Sequence, residues 1–162
     1  MNYLFKNKLK RGFMTVEILI AISIITVAIL ASMTVAQKSI YVSRQSVHLS
    51  QASFLLEEGA ESVRIVRDNA WNNISSLILG TNYYPTFTGG TWTLSVTPNT
   101  VGIFTRKVVF SSVNRDNSTK DIVSSGGTLD AGTKLATVTV SWLEGGTTIT
   151  KTLKFYILNI FE

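Results

Sequence analysis

The chain has 162 residues, with fifteen Lys and Arg against ten Asp and Glu, a single histidine and no cysteine. Lack of cysteine excludes a disulfide framework and thiolate metal centres, and one histidine leaves no material for a His cluster or a Cys–His pair. The net charge of +5 invites an anionic partner, yet Lys6, Lys8, Lys10 and Arg11 carry +4 of it; the remainder sums to +1, so the basic balance reads as a targeting signal, not a nucleic-acid patch.

After those four cations the sequence turns apolar at Phe13 and stays so through Ala36, interrupted by one ionisable residue, Glu17. Twenty-four residues of α-helix span roughly 36 Å, enough to cross a hydrocarbon core of roughly 30 Å. Basic residues before the span and few just after it predict a cytoplasmic N-terminus and an exported remainder. A carboxylate inside such a span is costly and calls for a partner. The competing reading is a charge that snorkels to the interface.

The stretch Gly12-Phe13-Met14-Thr15-Val16-Glu17-Ile18-Leu19-Ile20-Ala21, behind a basic leader, resembles the prepilin junction of type IV pilins and type II secretion pseudopilins. The resemblance implies a leader at 1–12, cleavage between Gly12 and Phe13 by a membrane-embedded prepilin peptidase, and N-methylation of Phe13. It implies that Glu17 neutralises the terminal amine of a neighbouring subunit and so sets register during filament assembly. The implied partners are other pilin subunits, the peptidase, an inner-membrane assembly platform with its ATPase, and membrane lipid before assembly. A DNA or host ligand is not specified, and no cofactor is implied. The absence of cysteine departs from the many pilins that close a C-terminal loop with a disulfide.

In chain order, 13–36 is read as the membrane and filament-core helix. Ser23, Thr26, Ser32 and Thr34 within it could bond between helices or to their own i−4 carbonyls. Residues 37–73 continue as an amphipathic helix: Leu49, Ala52, Leu56, Ala60, Val63 and Val66 recur on one face, and Arg44, Gln45, Gln51, Glu57, Glu58, Glu61, Arg64 and Arg67 form a solvated opposite side. Gly59 interrupts that helix, consistent with a strand approaching closely. The helix is expected to stop near Asp68-Asn69, or one turn later near Asn73.

Residues 74–162 change to period two. Asn82 to Phe87 and Thr91 to Val96 form a hairpin around Gly89-Gly90, Ile103 to Val113 a longer strand, and Leu135 to Leu143 with Thr147 to Leu158 the clearest hairpin, turning at Glu144-Gly145-Gly146. Asn114 to Thr133 reads as a polar loop of about twenty residues. The expected fold class is α+β, a long N-terminal helix packed on a mostly antiparallel sheet. The C-terminal hairpin, through Thr137-Val138-Thr139-Val140-Ser141-Trp142 and Phe155-Tyr156-Ile157-Leu158, also looks like that of minor pilins and the smaller pseudopilins.

Other candidate chemistry is sparse. Asp116 and Asp121 offer oxygen ligands for calcium, but Lys120 lies between them, no Glu closes the loop, and Asp-Asn pairs are ordinary turn formers. Tyr83, Tyr84, Phe87 and Trp92 beside Arg106 and Lys107 read as a stacking surface or as core and cross-strand pairs. His48 reads as a surface position on the helix. No enzyme constellation emerges. The functional expectation is a minor pilin of a type IV pilus, in the membrane and then in a filament, whose displayed domain serves adhesion, motility or DNA uptake. The alternatives are a type II secretion pseudopilin, and, from another class, a secreted β-domain with an ordinary signal peptide cut near Ala36.

Overall fold

The computed structural model describes residues 8–161, with side chains from residue 14 onward; most of the expected leader, 1–7, lies outside the described residues. Helix α1 runs Lys8–Asn69 and is followed by a single-turn helix α2, Asn72–Ser75. Between Phe13 and Ala36 no Gly or Pro breaks the backbone ladder, which is why the helix runs uninterrupted through the apolar stretch. Two compact units divide within α1, between Val47 and His48.

In the first unit the described side chains from Met14 to Arg44 are all exposed, including Ile18, Ile24, Val27 and Leu30. Exposed apolar side chains on every side mark a helix whose solvent is not water or whose partner is another chain.

The second unit is a two-layer α+β domain: the His48–Asn69 part of α1 lies on an antiparallel sheet. Strands β1 (Tyr84–Thr88) and β2 (Thr91–Ser95) form a separate hairpin, with Gly89 and Gly90 at φ of 64° and 81°, the left-handed values a tight two-residue turn requires. The main sheet contains β3 (Thr100–Val101), β4 (Phe104–Arg115), β6 (Thr128–Glu144) and β7 (Thr147–Leu158) in the order β3-β4-β6-β7, with β5 (Ile122–Val123) pairing on β4. All of these pairings are antiparallel.

The alternation read from sequence holds. Val108 and Phe110 on β4, and Ala136, Val138, Val140 and Trp142 on β6, are buried under α1, whereas Lys107, Val109, Thr137, Thr139 and Ser141 face away from it. They meet Ala52, Leu55, Ala60, Val63 and Val66 of α1 in two adjoining clusters. Burying side chains of this size is worth about 1.5–3 kcal/mol each, which fixes the helix on the sheet. Leu49 departs from the expected stripe: it is exposed, and Leu55 is buried instead.

One open alternative is resolved and one further expectation is corrected. The helix ends at Asn69, the earlier of the two positions weighed, because the chain turns at Ala70 into α2, whose Ile74 enters the core. The polar loop of about twenty residues does not exist as such. Strand β4 continues to Arg115 past an irregularity at Ser112/Val113, pairs there with β5 and with the start of β6, and leaves only short turns. Gly127 closes one of them at φ 69°, where any Cβ would run into the Arg115 carbonyl.

Candidate functional site

The site singled out by sequence lies at the start of α1. Gly12 and Phe13 fall within its helical backbone, and Glu17 follows one turn later. Glu17 is exposed, as are Met14, Val16, Ile18 and Ile20 around it, and it makes no hydrogen bond or ion pair among the described residues. A carboxylate displayed among exposed Val, Ile and Leu side chains has no counter-charge among the described side chains. Deeper along the helix, Ser23, Thr26, Ser32 and Thr34 donate to the carbonyls of Ile20, Ile22, Ala28 and Leu30 at 2.7, 2.8, 2.8 and 3.0 Å. Their hydroxyls are thus satisfied internally, leaving the outer surface apolar. Ala28, Ser32 and Ala36, four residues apart, form the floor of a shallow groove between Ile25, Ile29 and Met33.

The remaining candidates lie in the second unit. Asp116 and Asp121 stand at the two ends of one tight turn. Asp116 Oδ1 accepts the backbone N–H groups of Ser118 and Thr119 at 2.8 and 2.9 Å, and its own N–H donates to the Asp121 carbonyl at 2.9 Å. The N–H bonds from Thr119 and then Ser118 hold the Asp116 carboxyl below its ordinary value of 3.8. Lys120, at φ 65°, turns its ammonium to the Asn117 carbonyl at 2.8 Å. Among the described residues no three His, Cys, Asp or Glu side chains converge as a metal would need.

The aromatic candidates are mostly spent internally. Tyr83 is buried edge-to-face on Phe110, and its hydroxyl accepts the Ile78 N–H at 2.9 Å. Trp92 is half-buried beneath the Arg106 guanidinium, 5.2 Å from its ring centre, and edges Phe87 at 5.4 Å. Lys107 lies on the opposite face of the sheet from Arg106, so the proposed stacking surface is not assembled there. His48 does not sit on the solvated side of α1. Its Nδ1 meets Glu144 Oε2 at 2.5 Å, and the buried Glu144 also accepts the Trp142 indole N–H at 3.0 Å.

Arg106 is the residue that sequence reasoning misplaced. It is 3% exposed, its Nη1 donates to Glu58 Oε2 at 2.6 Å, and its Nε has no hydrogen-bond partner. Glu58, assigned to the solvated face, is the counter-charge. The missed signal was parity: Arg106 shares the inward register of Phe104, Val108 and Phe110. At the far end of β4, Arg115 Nε donates to Asp130 Oδ2 at 2.6 Å, while its other nitrogens reach the Lys120 carbonyl and the Thr133 hydroxyl.

No protein-family model, curated protein or solved structure matches this chain. The α+β fold and, among the described residues, a single helix long and apolar enough to cross a membrane therefore stand on the chain's own features.

Proposed function

We propose that this chain is a filament subunit of the type IV pilin kind, a minor pilin that is held in the membrane by α1 and then assembled through it. The observation that carries the reading is Glu17: one carboxylate, one turn after Gly12-Phe13, exposed in an otherwise apolar stretch and unpaired within the described chain. An isolated carboxylate there is costly in lipid and is relieved by a cation from another molecule. A terminal amine created by cleavage between Gly12 and Phe13 is such a cation, and the apolar helix around it supplies the low-dielectric setting in which the pair enforces register. The exposed flank from Met14 to Arg44 and the small-residue floor at Ala28, Ser32 and Ala36 support close helix–helix packing between copies. Lipid covers the helix first, and neighbouring helices replace it. Processing and extrusion call on a prepilin peptidase and an ATP-driven platform, and the second unit is the displayed part.

The deciding experiment is the intact mass and N-terminal sequence of the protein recovered from its native cells. A start at methylated Phe13 is expected. A start near Gln37 would mean an ordinary secreted domain, and a retained Met1 a membrane-anchored one; either result overturns the reading.

A further inference from the structure

The two edges of the main sheet are treated differently. The β4 edge is closed in three pieces: β3 pairs with Thr105 and Phe104, Tyr83 bridges Val108 with N–H···O bonds of 2.8 and 2.7 Å in both directions, and β5 pairs with Asn114 and Arg115. The β7 edge is open among the described residues. Its twelve residues pair with β6 alone, without a register shift, and among the described residues no main-chain bond reaches its outer side. No proline or bulge blunts it, so it presents a straight row of unpaired N–H and C=O groups.

Charge decides what this edge accepts. From Thr147 to Phe161 the chain has two lysines, Lys151 and Lys154, and no acidic residue. Both are exposed. Cross-strand partners show them on opposite faces, Lys151 beside Val140 on the α1 side and Lys154 beside Thr137 on the outer side. A second copy is a poor occupant. Two-fold antiparallel pairing of β7 with itself, centred anywhere from Lys151 to Lys154, sets one of these lysines opposite or diagonal to its own copy, and like charges so placed repel. A second copy's β4 edge is already occupied. The same lysines that repel a like edge attract carboxylates.

We propose that β7 is a docking edge for an extended acidic polypeptide segment, which adds antiparallel to the sheet through main-chain hydrogen bonds and places two carboxylates three residues apart, one against Lys151 and one against Lys154. Leu153 and Tyr156, both exposed on the strand, flank the lysines and provide apolar contact on either face. The inference stands on the second unit alone and is independent of the filament reading.

The test uses the full chain in detergent and a fluorescent Thr/Val peptide carrying two glutamates three positions apart, with twins in which glutamine or lysine replaces both. Anisotropy should show the glutamate peptide binding about 5-fold more tightly than the glutamine twin, as two opposite-charge cross-strand pairs permit. The lysine twin should not bind. The Lys151→Thr/Lys154→Thr double variant should erase the preference while leaving the residual binding of the glutamine twin. Methylating the glutamate peptide's backbone nitrogens along one edge should abolish binding, and amide exchange should slow on β7 and not on β4. Equal affinity for the glutamate and glutamine peptides, protection away from β7, or dimerisation of the chain through β7 without peptide would overturn the proposal.

Discussion

Gly59 shows how a single missing methyl can set the distance between a helix and a sheet. A Cβ at this position would lie 2.7 Å from Val138 Cγ1 and 3.1 Å from Arg106 Cδ, and both neighbours are buried. In an exposed mid-helix site Gly→Ala stabilises by roughly 1 kcal/mol. Here overpacking opposes that gain by about 1–3 kcal/mol. Gly59→Ala should therefore lower the urea midpoint, and the same change made in a Val138→Ala background should be neutral or stabilising. A gain of stability in both backgrounds would show that the contact is not tight. Arg106 yields a second prediction. Because it is 3% exposed and Glu58 is 47% exposed, the pair is asymmetric: removing the carboxylate strands a buried guanidinium, whereas removing the guanidinium releases a carboxylate to water. Glu58→Ala should cost about 2 kcal/mol, discounted from the value for a fully buried pair. In an Arg106→Met background, which keeps an apolar stem against Gly59 and removes the charge, Glu58→Ala should cost close to nothing. Equal costs in the two backgrounds, by thermal unfolding, would separate Glu58 from Arg106.

At the scale of elements, the segment from Asn114 to Thr133 illustrates what the sequence conceals. Glycines at 126, 127 and 132 and aspartates at 116, 121 and 130 carry strong turn signals, so period-two reading stops at Val113. The strands continue because Arg115 stitches the region together from the end of β4, through Asp130, Thr133 and the Lys120 carbonyl, and such long-range pairing leaves no local pattern. The last hairpin was legible for the opposite reason: Ala136, Val138, Val140 and Trp142 alternate cleanly, and Gly145-Gly146 supplies the turn. Arg115 and Asp130 also make the segment acid-sensitive. Bonds from Thr133 and then Arg115 hold the Asp130 carboxyl below its ordinary 3.8. A depressed carboxyl contributes stability that is fully present above the unfolded value and lost as the pH falls through the lower folded value. Amide protection across 116–133, corrected for intrinsic exchange, should hold from neutrality down to about pH 4 and fall below it. In Asp130→Asn it should be low already at neutral pH and show a smaller acid step. An unchanged acid step in the variant would assign the sensitivity to Asp116 instead.

For the whole molecule, the sequence is most informative where the fold is simplest. A helix exposed from Met14 to Arg44 has no internal packing to explain its composition, and its Ser23, Thr26, Ser32 and Thr34 hydroxyls are satisfied by its own carbonyls, so the charge within the apolar stretch points outward. Glu17 is that charge, and its exposure depends on no tertiary contact that sequence would hide. The buried Arg106 and Glu144, by contrast, only declare themselves once strands are paired. Under the filament reading proposed above, Glu17 has two tasks that substitutions can separate. It must remain compatible with membrane insertion, which an uncharged side chain does at least as well, and it must pair with a neighbour's terminal amine, which only a carboxylate does fully. Glu17→Ala and Glu17→Gln should both be inserted and cleaved normally, because cleavage concerns Gly12 and Phe13. Both should enter filaments poorly when they are the only copy. When co-expressed with the native chain they should enter in part, since each assembly contact joins one subunit's carboxylate to another's amine and a mixed filament retains some native pairs. Quantitative mass spectrometry of sheared filaments against the membrane pool measures that ratio. Incorporation of Glu17→Ala at the native level, with processing intact, would remove the pairing role while leaving the membrane helix in place.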